Sequence, residues 1–237
     1  MNVRYDFAAS HCGGLEIRLA GAPVTFRTSG AMWLEAQRAL IVADLHLEKG
    51  SAYAARGQML PPYDTAETLR RLESEAAATS AERIVLLGDT FHDRRSEERL
   101  ADTHAGRLRA LAEGRDLVWV MGNHDADGPR ALPGRAVAEV EIAGLSFRHE
   151  PSAGPRAGEV AGHLHPAAKV RAAAASVRCR CFVTDGERAI LPAFGAYAGG
   201  LNVRDVAFAG LFVRPPLAGT LGPSRVRAIG WNRLAAD

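Results

Sequence analysis

The sequence predicts an α/β fold in which two β-sheets lie face to face with helices outside them. Three observations carry this expectation. Between residues 39 and 121 the apolar runs ALIVA, RIVLL and LVWVM alternate with helix-period segments, the strand, helix, strand, helix, strand order of crossover units. Ahead of them, LEIRL, VTFRT and AMWLEA alternate apolar and polar residues between turn residues, as half-buried strands do. After residue 135 the texture changes to short strand-like runs separated by Gly/Pro loops. Two such halves share one core most economically as packed layers.

Taken in order, Gly21-Ala22-Pro23 reads as the turn between the first two strands, and ALIVADLHL as a strand with its exit. EKGSAYAARGQMLPP reads as loop, and Asp64 with Glu67 as a capping pair for a helix through TAETLRRLESEAAA. RIVLL reads as a buried parallel strand. EERLADTHAGRLRALAEG reads as one helix, with Leu100, His104, Leu108 and Leu111 at helical spacing, so His104 belongs to a helix face. AVAEVEIAG, LSFRHE, GEVAGHLH, VRCRCFVTDG, RAILPAF, DVAFAGLFVRP and RVRAIGW read as strands. No internal repeat, low-complexity tract or Ser/Gly linker divides the 237 residues, a length that suits one large domain, with or without an appended subdomain.

Composition excludes several classes. A formal charge of +2 is too near zero to argue for nucleic acid by itself, although Lys49 and Lys169 are the only lysines and arginine carries the rest of the positive charge. Three cysteines, Cys12, Cys179 and Cys181, leave one unpaired and supply no zinc-site spacing. No apolar run approaches the ~20 residues that span a bilayer, and MNVRYDF lacks the apolar core of a signal peptide. The expectation is a soluble cytoplasmic protein with no membrane partner.

Six of the eight histidines lie in short motifs at the ends of these runs. Asp44-Leu45-His46 follows ALIVA, and Gly88-Asp89-Thr90-Phe91-His92-Asp93 follows RIVLL. Gly122-Asn123-His124-Asp125 follows LVWVM. His149 follows LSFR, and Gly162-His163-Leu164-His165 closes the set. Sites of α/β sheets gather at strand carboxyl ends. On a strand, His163 and His165 would point to one side and converge on one spot. Carboxylates, imidazoles and one amide without thiolate favour manganese or iron, with zinc possible. The set exceeds what one catalytic ion takes, whereas a bridged pair of ions would use it all, and such a pair hydrolyses phosphoesters.

In this order, DxH, GDxxH, GNHD, a lone His and GHxH resemble the calcineurin-like metallophosphoesterases. The resemblance implies the four-layer α/β/β/α sandwich of two mixed sheets flanked by helices. It implies a single domain over residues 1–237, whose dinuclear site is built from 44–165, together with a β-rich C-terminal part. It assigns Asp44, His46, Asp89 and His165 to a first ion, and Asp89, Asn123, His149 and His163 to a second, with Asp89 bridging. It places His124 over the phosphate as proton donor to the leaving oxygen and Asp125 as its orienting partner. His92 has two readings, packing beneath the site or facing the leaving group, and the first is favoured; Asp93 goes with it.

The superfamily hydrolyses many phosphoesters. GDTFHD departs from the GDxxDRG of the phosphoprotein phosphatases and is closer to the GDxFH of certain DNA repair nucleases. LHLEKGSAYAARGQMLPPYD, GDTFHD and PAFGAYAGGLNV resemble the small bacterial PdeM phosphoesterases, the ligase-associated DNA damage response endonucleases. That likeness implies a manganese-dependent phosphodiesterase that cuts single-stranded or structured DNA in bacterial repair beside a ligase and a helicase, with a homodimer as the family expectation. Arg94, Arg95 and Arg56 are the candidate substrate contacts, because arginine in loops near the metals suits phosphates. The competing reading is a hydrolase of small phosphodiesters, nucleotides or phosphomonoesters, which a lidded pocket would favour. ADGPRALPGR and EPSAGPRAG are either lids or plain connectors.

Overall fold

Continuously apolar strands are stable only when buried on both faces, and three of them frame this molecule. A computed structural model describes residues 6–171 and 176–237; the first five residues of MNVRYDF lie outside that range. The first sheet has eight strands in chain order: β1 (Phe7–Ala9), β2 (Leu15–Leu19), β3 (Ala22–Phe26), β4 (Met32–Leu34), β5 (Ala39–Ala43), β6 (Arg83–Leu87), β7 (Asp116–Val120) and β8 (Arg135–Val137). Strands β1 to β5 form an antiparallel meander, and β5 to β8 run parallel. Helices α1 (Lys49–Ala54) and α2 (Asp64–Thr79) lead from β5 to β6, and α3 (Ser96–Arg99) and α4 (Asp102–Ala112) from β6 to β7.

The second sheet comprises β9 (Glu139–Ile142), β10 (Leu145–Arg148), β11 (Glu159–Ala161), β12 (Pro166–Arg171), β13 (Ser176–Thr184), β14 (Ala189–Ile190), β15 (Leu201–Asn202), β16 (Leu217–Leu221), β17 (Val226–Gly230) and β18 (Leu234–Ala235). It is mixed: β10, β11 and β14 are parallel neighbours, while β13 pairs antiparallel with β12, β14 and β16.

Strand periodicity of two sorts the side chains into layers. Ile41, Val85, Leu87, Val118 and Val120 face the second sheet and meet Phe147, Val160, Phe182, Leu191 and Leu217. The Phe26 and Phe182 rings stack across this interface with centroids 4.2 Å apart. The alternate residues Leu40, Val42, Ile84, Leu86, Leu117 and Trp119 face outward, onto Leu69, Leu72 and Ala76 of α2 and Leu108 and Leu111 of α4. Over the outer face of the second sheet, Val203, Leu234 and Trp231 of the C-terminal segment pack on Ala168, Cys181, Val183 and Ala218.

Several elements differ from the sequence reading for identifiable reasons. The helix expected through EERLADTHAGRLRALAEG breaks at Leu100 and Ala101, which are extended. His104 lies on α4, with Leu108 and Leu111 buried. EKGSAYA, read as loop, contains α1. Asp64 does not cap its own helix: it lies inside the first turn of α2, is buried, and accepts the Gly50 N–H at 3.0 Å, an open first-turn donor of α1, while Glu67 pairs with Arg70. DVAFAGLFVRP is a 3-10 turn (Val206–Phe208) with coil, not a strand. EPSAGPRAG is a tied connector, since the fully buried Arg188 donates to the carbonyls of Ser152 and Gly154 and to the Glu159 carboxylate.

Both rings of the stacked pair are 0% exposed, so truncation leaves a cavity that the flanking strands cannot close. Phe182→Ala should therefore lower unfolding stability by about 3–5 kcal/mol, read as a lower urea midpoint at unchanged slope.

Candidate metal centre

Register brings the motifs together. Ala43, Leu87 and Val120 are consecutive partners across β5, β6 and β7, so Asp44, Gly88 and Met121 leave the sheet side by side. In the second sheet Arg148 is level with Ala161, which sends His149 and Gly162 off together, and the Gly162 N–H donates to the His149 carbonyl. Both parallel runs end at the same place.

There the side chains form two groups, Asp44 with His46 and His165, and Asp89 with His149 and His163; within each, one potential ligand atom per residue lies within 4.8 Å of the others. In the first group His46 Nε2 and His165 Nε2 are 3.2 Å apart, and His165 Nε2 is 3.4 Å from Asp44 Oδ1. In the second, His149 Nε2 is 2.9 Å from Asn123 Oδ1, 3.1 Å from His163 Nδ1 and 3.4 Å from Asp89 Oδ2. Asp89 Oδ2 also lies 4.0 Å from His46 Nε2, so one oxygen reaches toward both groups. Its other oxygen, Oδ1, accepts the His124 N–H at 2.9 Å.

These separations match neighbouring ligands on one ion, which stand roughly 3 Å apart when bonds to the ion are about 2.1 Å. Protons alone satisfy the cluster poorly, since one hydrogen on His149 Nε2 cannot serve three acceptors. The donor set of the described residues therefore fits divalent cations.

Electrostatics agree with a ligand role. Burial first, and then the neighbouring His165, push His46 down to about 3, which leaves it neutral and free to coordinate. Burial works to raise Asp89, but the hydrogen bond and charge of His149, the His124 N–H and His46 outweigh it and bring the carboxyl down to about 2. Burial opposes charge on His149 as well, yet Asp89 and Asp44 raise it above the ordinary histidine value. His163 is lowered, chiefly by burial and then by His149.

Backbone conformation is unusual here. Asp44, His46, Asp89, His163 and His165 all have φ between +43° and +66°, a region costly for residues with a Cβ. His163 and His165 therefore do not lie on a strand: β11 ends at Ala161 and β12 starts at Pro166. The expectation that both rings point to one spot is corrected, because each ring enters a different group.

Close approach explains the motif glycines. A Cβ on Gly88 would lie 2.0 Å from His149 Nδ1, one on Gly122 2.2 Å from Asp89 Oδ1, and one on Gly162 2.6 Å from Asp44 Oδ2. Gly195 of PAFGAYAGG is equally tight, at 2.2 Å from the Leu45 carbonyl.

Around the groups, His124 Nδ1–H donates to the His92 carbonyl at 2.7 Å. Its Nε2 then faces Asp89 Oδ2 at 3.9 Å. The His92 ring packs on His124 with centroids 5.7 Å apart and planes 20° from parallel, and is held below the ordinary histidine range by burial, then by Lys49 and His124. The expectation that Asp125 orients His124 is corrected. Asp125 instead accepts the N–H groups of Thr90, Phe91 and Gly122 at 2.8, 3.1 and 3.0 Å, tying the second motif loop to the third, and burial raises its pKa despite those donors. Asp93 is occupied by Arg99 and by the Arg95 N–H.

Arg94 and Arg95 form no hydrogen bond or ion pair with the ligand residues. Arg95 turns to Glu98 at 3.2 Å, and Arg94 lines a cavity shared with Asp93, Glu97, Glu98 and Asp127, an acidic setting ill suited to phosphate. Arg56 is exposed just past α1. Sequence reasoning missed the His92 carbonyl, Gly195 and α1, whose six residues carry no apolar period to betray a helix.

The family model for calcineurin-like phosphoesterases matches residues 37–173. The chain belongs to the calcineurin-like phosphoesterase family, and it has the two-sheet mixed α/β architecture expected of it. Among solved structures it is similar to the crystal structure of Pseudomonas putida nuclease MPE, with 27% identity and a TM-score of 0.70 over 91% of this chain and 100% of that one. It also matches a phosphoesterase from E. coli, Yfce, at 19% identity and a TM-score of 0.37, over 83% of this chain and 94% of that one. No curated protein matches the sequence. No helix among the described residues is long and apolar enough to cross a membrane.

Gly88→Ala and Gly162→Ala should each weaken divalent-ion binding by at least about tenfold, the scale of losses when a ligand's support is disturbed, with the secondary structure kept. Gly106→Ala, where an added Cβ meets nothing within 4 Å, should bind metal normally. Calorimetric titration of metal-stripped protein with manganese reads the difference; full affinity in Gly88→Ala would refute the packing argument.

Proposed function

We propose that this protein is a dinuclear metal-dependent phosphodiesterase that cuts DNA as an endonuclease. The observation that carries the reading is the pair of adjoining Asp/His groups with Asp89 Oδ2 directed to both. The likeness to a nuclease over nearly the whole chain supports DNA as substrate, and the PdeM-like strings support a role in bacterial DNA repair with a ligase and a helicase as functional associates.

Asp44, His46, Asp89 and His165 would hold one ion, and Asp89, Asn123, His149 and His163 the other. Nitrogen and oxygen ligands without thiolate favour manganese, with iron or zinc as further options. Divalent ions bound there supply Lewis acidity, which activates water and offsets phosphoryl charge. The chain's own residues do the rest. His124, fixed through Nδ1 by the His92 carbonyl, presents Nε2 beside the ligand groups and in its protonated form delivers a proton to the leaving oxygen. Asp125 holds the loops of the second and third motifs at fixed separation. The Asp89 carboxylate is kept ionised, and therefore able to bridge, by the His124 N–H and the surrounding imidazoles.

The test presents metal-stripped protein, reloaded with manganese, iron, zinc or magnesium, with circular single-stranded DNA, bis(p-nitrophenyl) phosphate and a phosphomonoester. Nicking of the circle, lost in Asp89→Asn, is the expected result. His124→Ala should keep its metal and lose about 10²-fold or more on DNA, but far less on the p-nitrophenyl diester, whose leaving group needs no proton. Monoester turnover with the circle intact would overturn the DNA reading.

A further inference from the structure

A file of rings runs outward from the first ligand group. His46 meets His124 edge-on with centroids 5.3 Å apart, His124 lies against His92 at 5.7 Å, and His92 is followed by Tyr53 of α1 at 5.9 Å with planes 40° apart. Tyr53 is half-buried, and its hydroxyl has no hydrogen-bond partner among the described residues.

One cation flanks this ring, and a second follows on the chain within electrostatic reach of His92. Lys49 Nζ lies 6.0 Å from the Tyr53 ring centre and spends one of its three donors on the Tyr197 carbonyl at 3.0 Å. Arg56 follows α1 and is exposed. Among the described residues neither has a carboxylate within ion-pair distance. By contrast Arg70, Arg83, Arg95, Arg99, Arg107 and Arg178 all do.

The helix that carries them is firmly seated. Glu48 enters α1 with φ of +65°; its buried carboxylate accepts the hydroxyls of Thr65 and Ser51 at 3.0 and 2.6 Å. The Thr65 hydroxyl in turn accepts the Glu48 N–H at 2.8 Å. Six residues of helix would be marginal alone, and this network holds them.

We infer that α1 and His92 form a nucleotide subsite on the leaving-group side of the centre: Tyr53 stacks on the base of the leaving nucleotide, while Lys49 and Arg56 hold the phosphate beyond it. The side follows from His124, since whatever is attached to the oxygen it protonates must run outward past His92. Aromatic stacking flanked by unpaired cations is the chemistry that holds an unpaired nucleotide. The inference rests on the DNA reading above and adds the residues that select for a polymer.

The test uses the manganese-loaded protein and a short DNA strand whose linkages are neutral methylphosphonates, except the scissile phosphate and its neighbour on the leaving side. Replacing the leaving nucleotide by an abasic one should cost the wild type about tenfold in kcat/KM, within the range for one stacked base. Tyr53→Leu should lose a similar factor on the intact strand and nothing further on the abasic one, with Tyr53→Phe behaving as wild type. Neutralising the neighbouring phosphate should cost the wild type severalfold, and should cost a Lys49→Gln/Arg56→Gln variant nothing. Losses that multiply, or an unaffected Tyr53→Leu, would overturn the subsite. Wild-type protein that hydrolyses bis(p-nitrophenyl) phosphate but cuts no strand would instead overturn the DNA reading itself, and the subsite with it.

Discussion

The structure turns on the crowding of acceptors around His149 Nε2. Three polar atoms stand within 3.4 Å of it, and only one proton is available to share among them. Such a cluster is costly in a buried place unless positive charge neutralises it. The same logic extends to His46 and His165, whose Nε2 atoms face each other at 3.2 Å. The fold has to hold together groups that have too few protons to pair one another, which explains why the site is anchored at strand ends.

Two parallel runs of strands do this work. Their inner faces are locked by the core that joins the sheets, so the residues following Ala43, Leu87, Val120, Arg148 and Ala161 leave at fixed heights. Asp44 and Gly88 turn at once into left-handed backbone, which Asp44 shares with four other ligand candidates, His46, Asp89, His163 and His165. At roughly 1–2 kcal/mol per residue, that conformation persists only because packing on both sides over-determines it. Gly88, Gly122 and Gly162 sit where those bends come closest, which makes their lack of a side chain part of the site.

Much of this was legible in the sequence, because a buried apolar run followed at once by a polar ligand residue is a one-dimensional signal. ALIVA-D, RIVLL-GD and LVWVM-GN each combine strand, exit and polar residue within a few positions, so the α/β half and the Asp and His residues that gather at its strand ends could be read directly. The geometry of GHLHP could not. Alternation suggested a strand, whereas two left-handed residues in a row of five send His163 and His165 apart. Nor could the partner of His124, which is a backbone carbonyl and leaves no trace in residue identity. Helix α1 escaped because KGSAYA has no apolar stripe; a buried glutamate and two hydroxyls hold it. DVAFAGLFVRP was misread for the opposite reason: its Phe208, Leu211 and Phe212 pack on the second sheet from a 3-10 turn and coil, and an apolar run alone does not distinguish that from a strand.

The two long loops beside the site bear on which substrates it can admit. The segment after His149 is tied by Arg188, whose guanidinium also donates to the Leu211 carbonyl, and the segment after Asp125 is tied by Glu97, whose carboxylate accepts the N–H groups of Arg130 and Ala131 at 2.8 Å each. Closing either loop over the ligands would break buried or charge-assisted hydrogen bonds, worth roughly 1.5–3 kcal/mol apiece. A small substrate gains from a lid because closure expels water and supplies contacts on all sides. A polymer brings its own contacts along the rim and is excluded by a lid. Under the DNA reading proposed above, with both loops tied in this way and Lys49 and Arg56 free of carboxylate partners, selection would fall to groups outside the metal centre, which a long anionic chain reaches and a small ester does not.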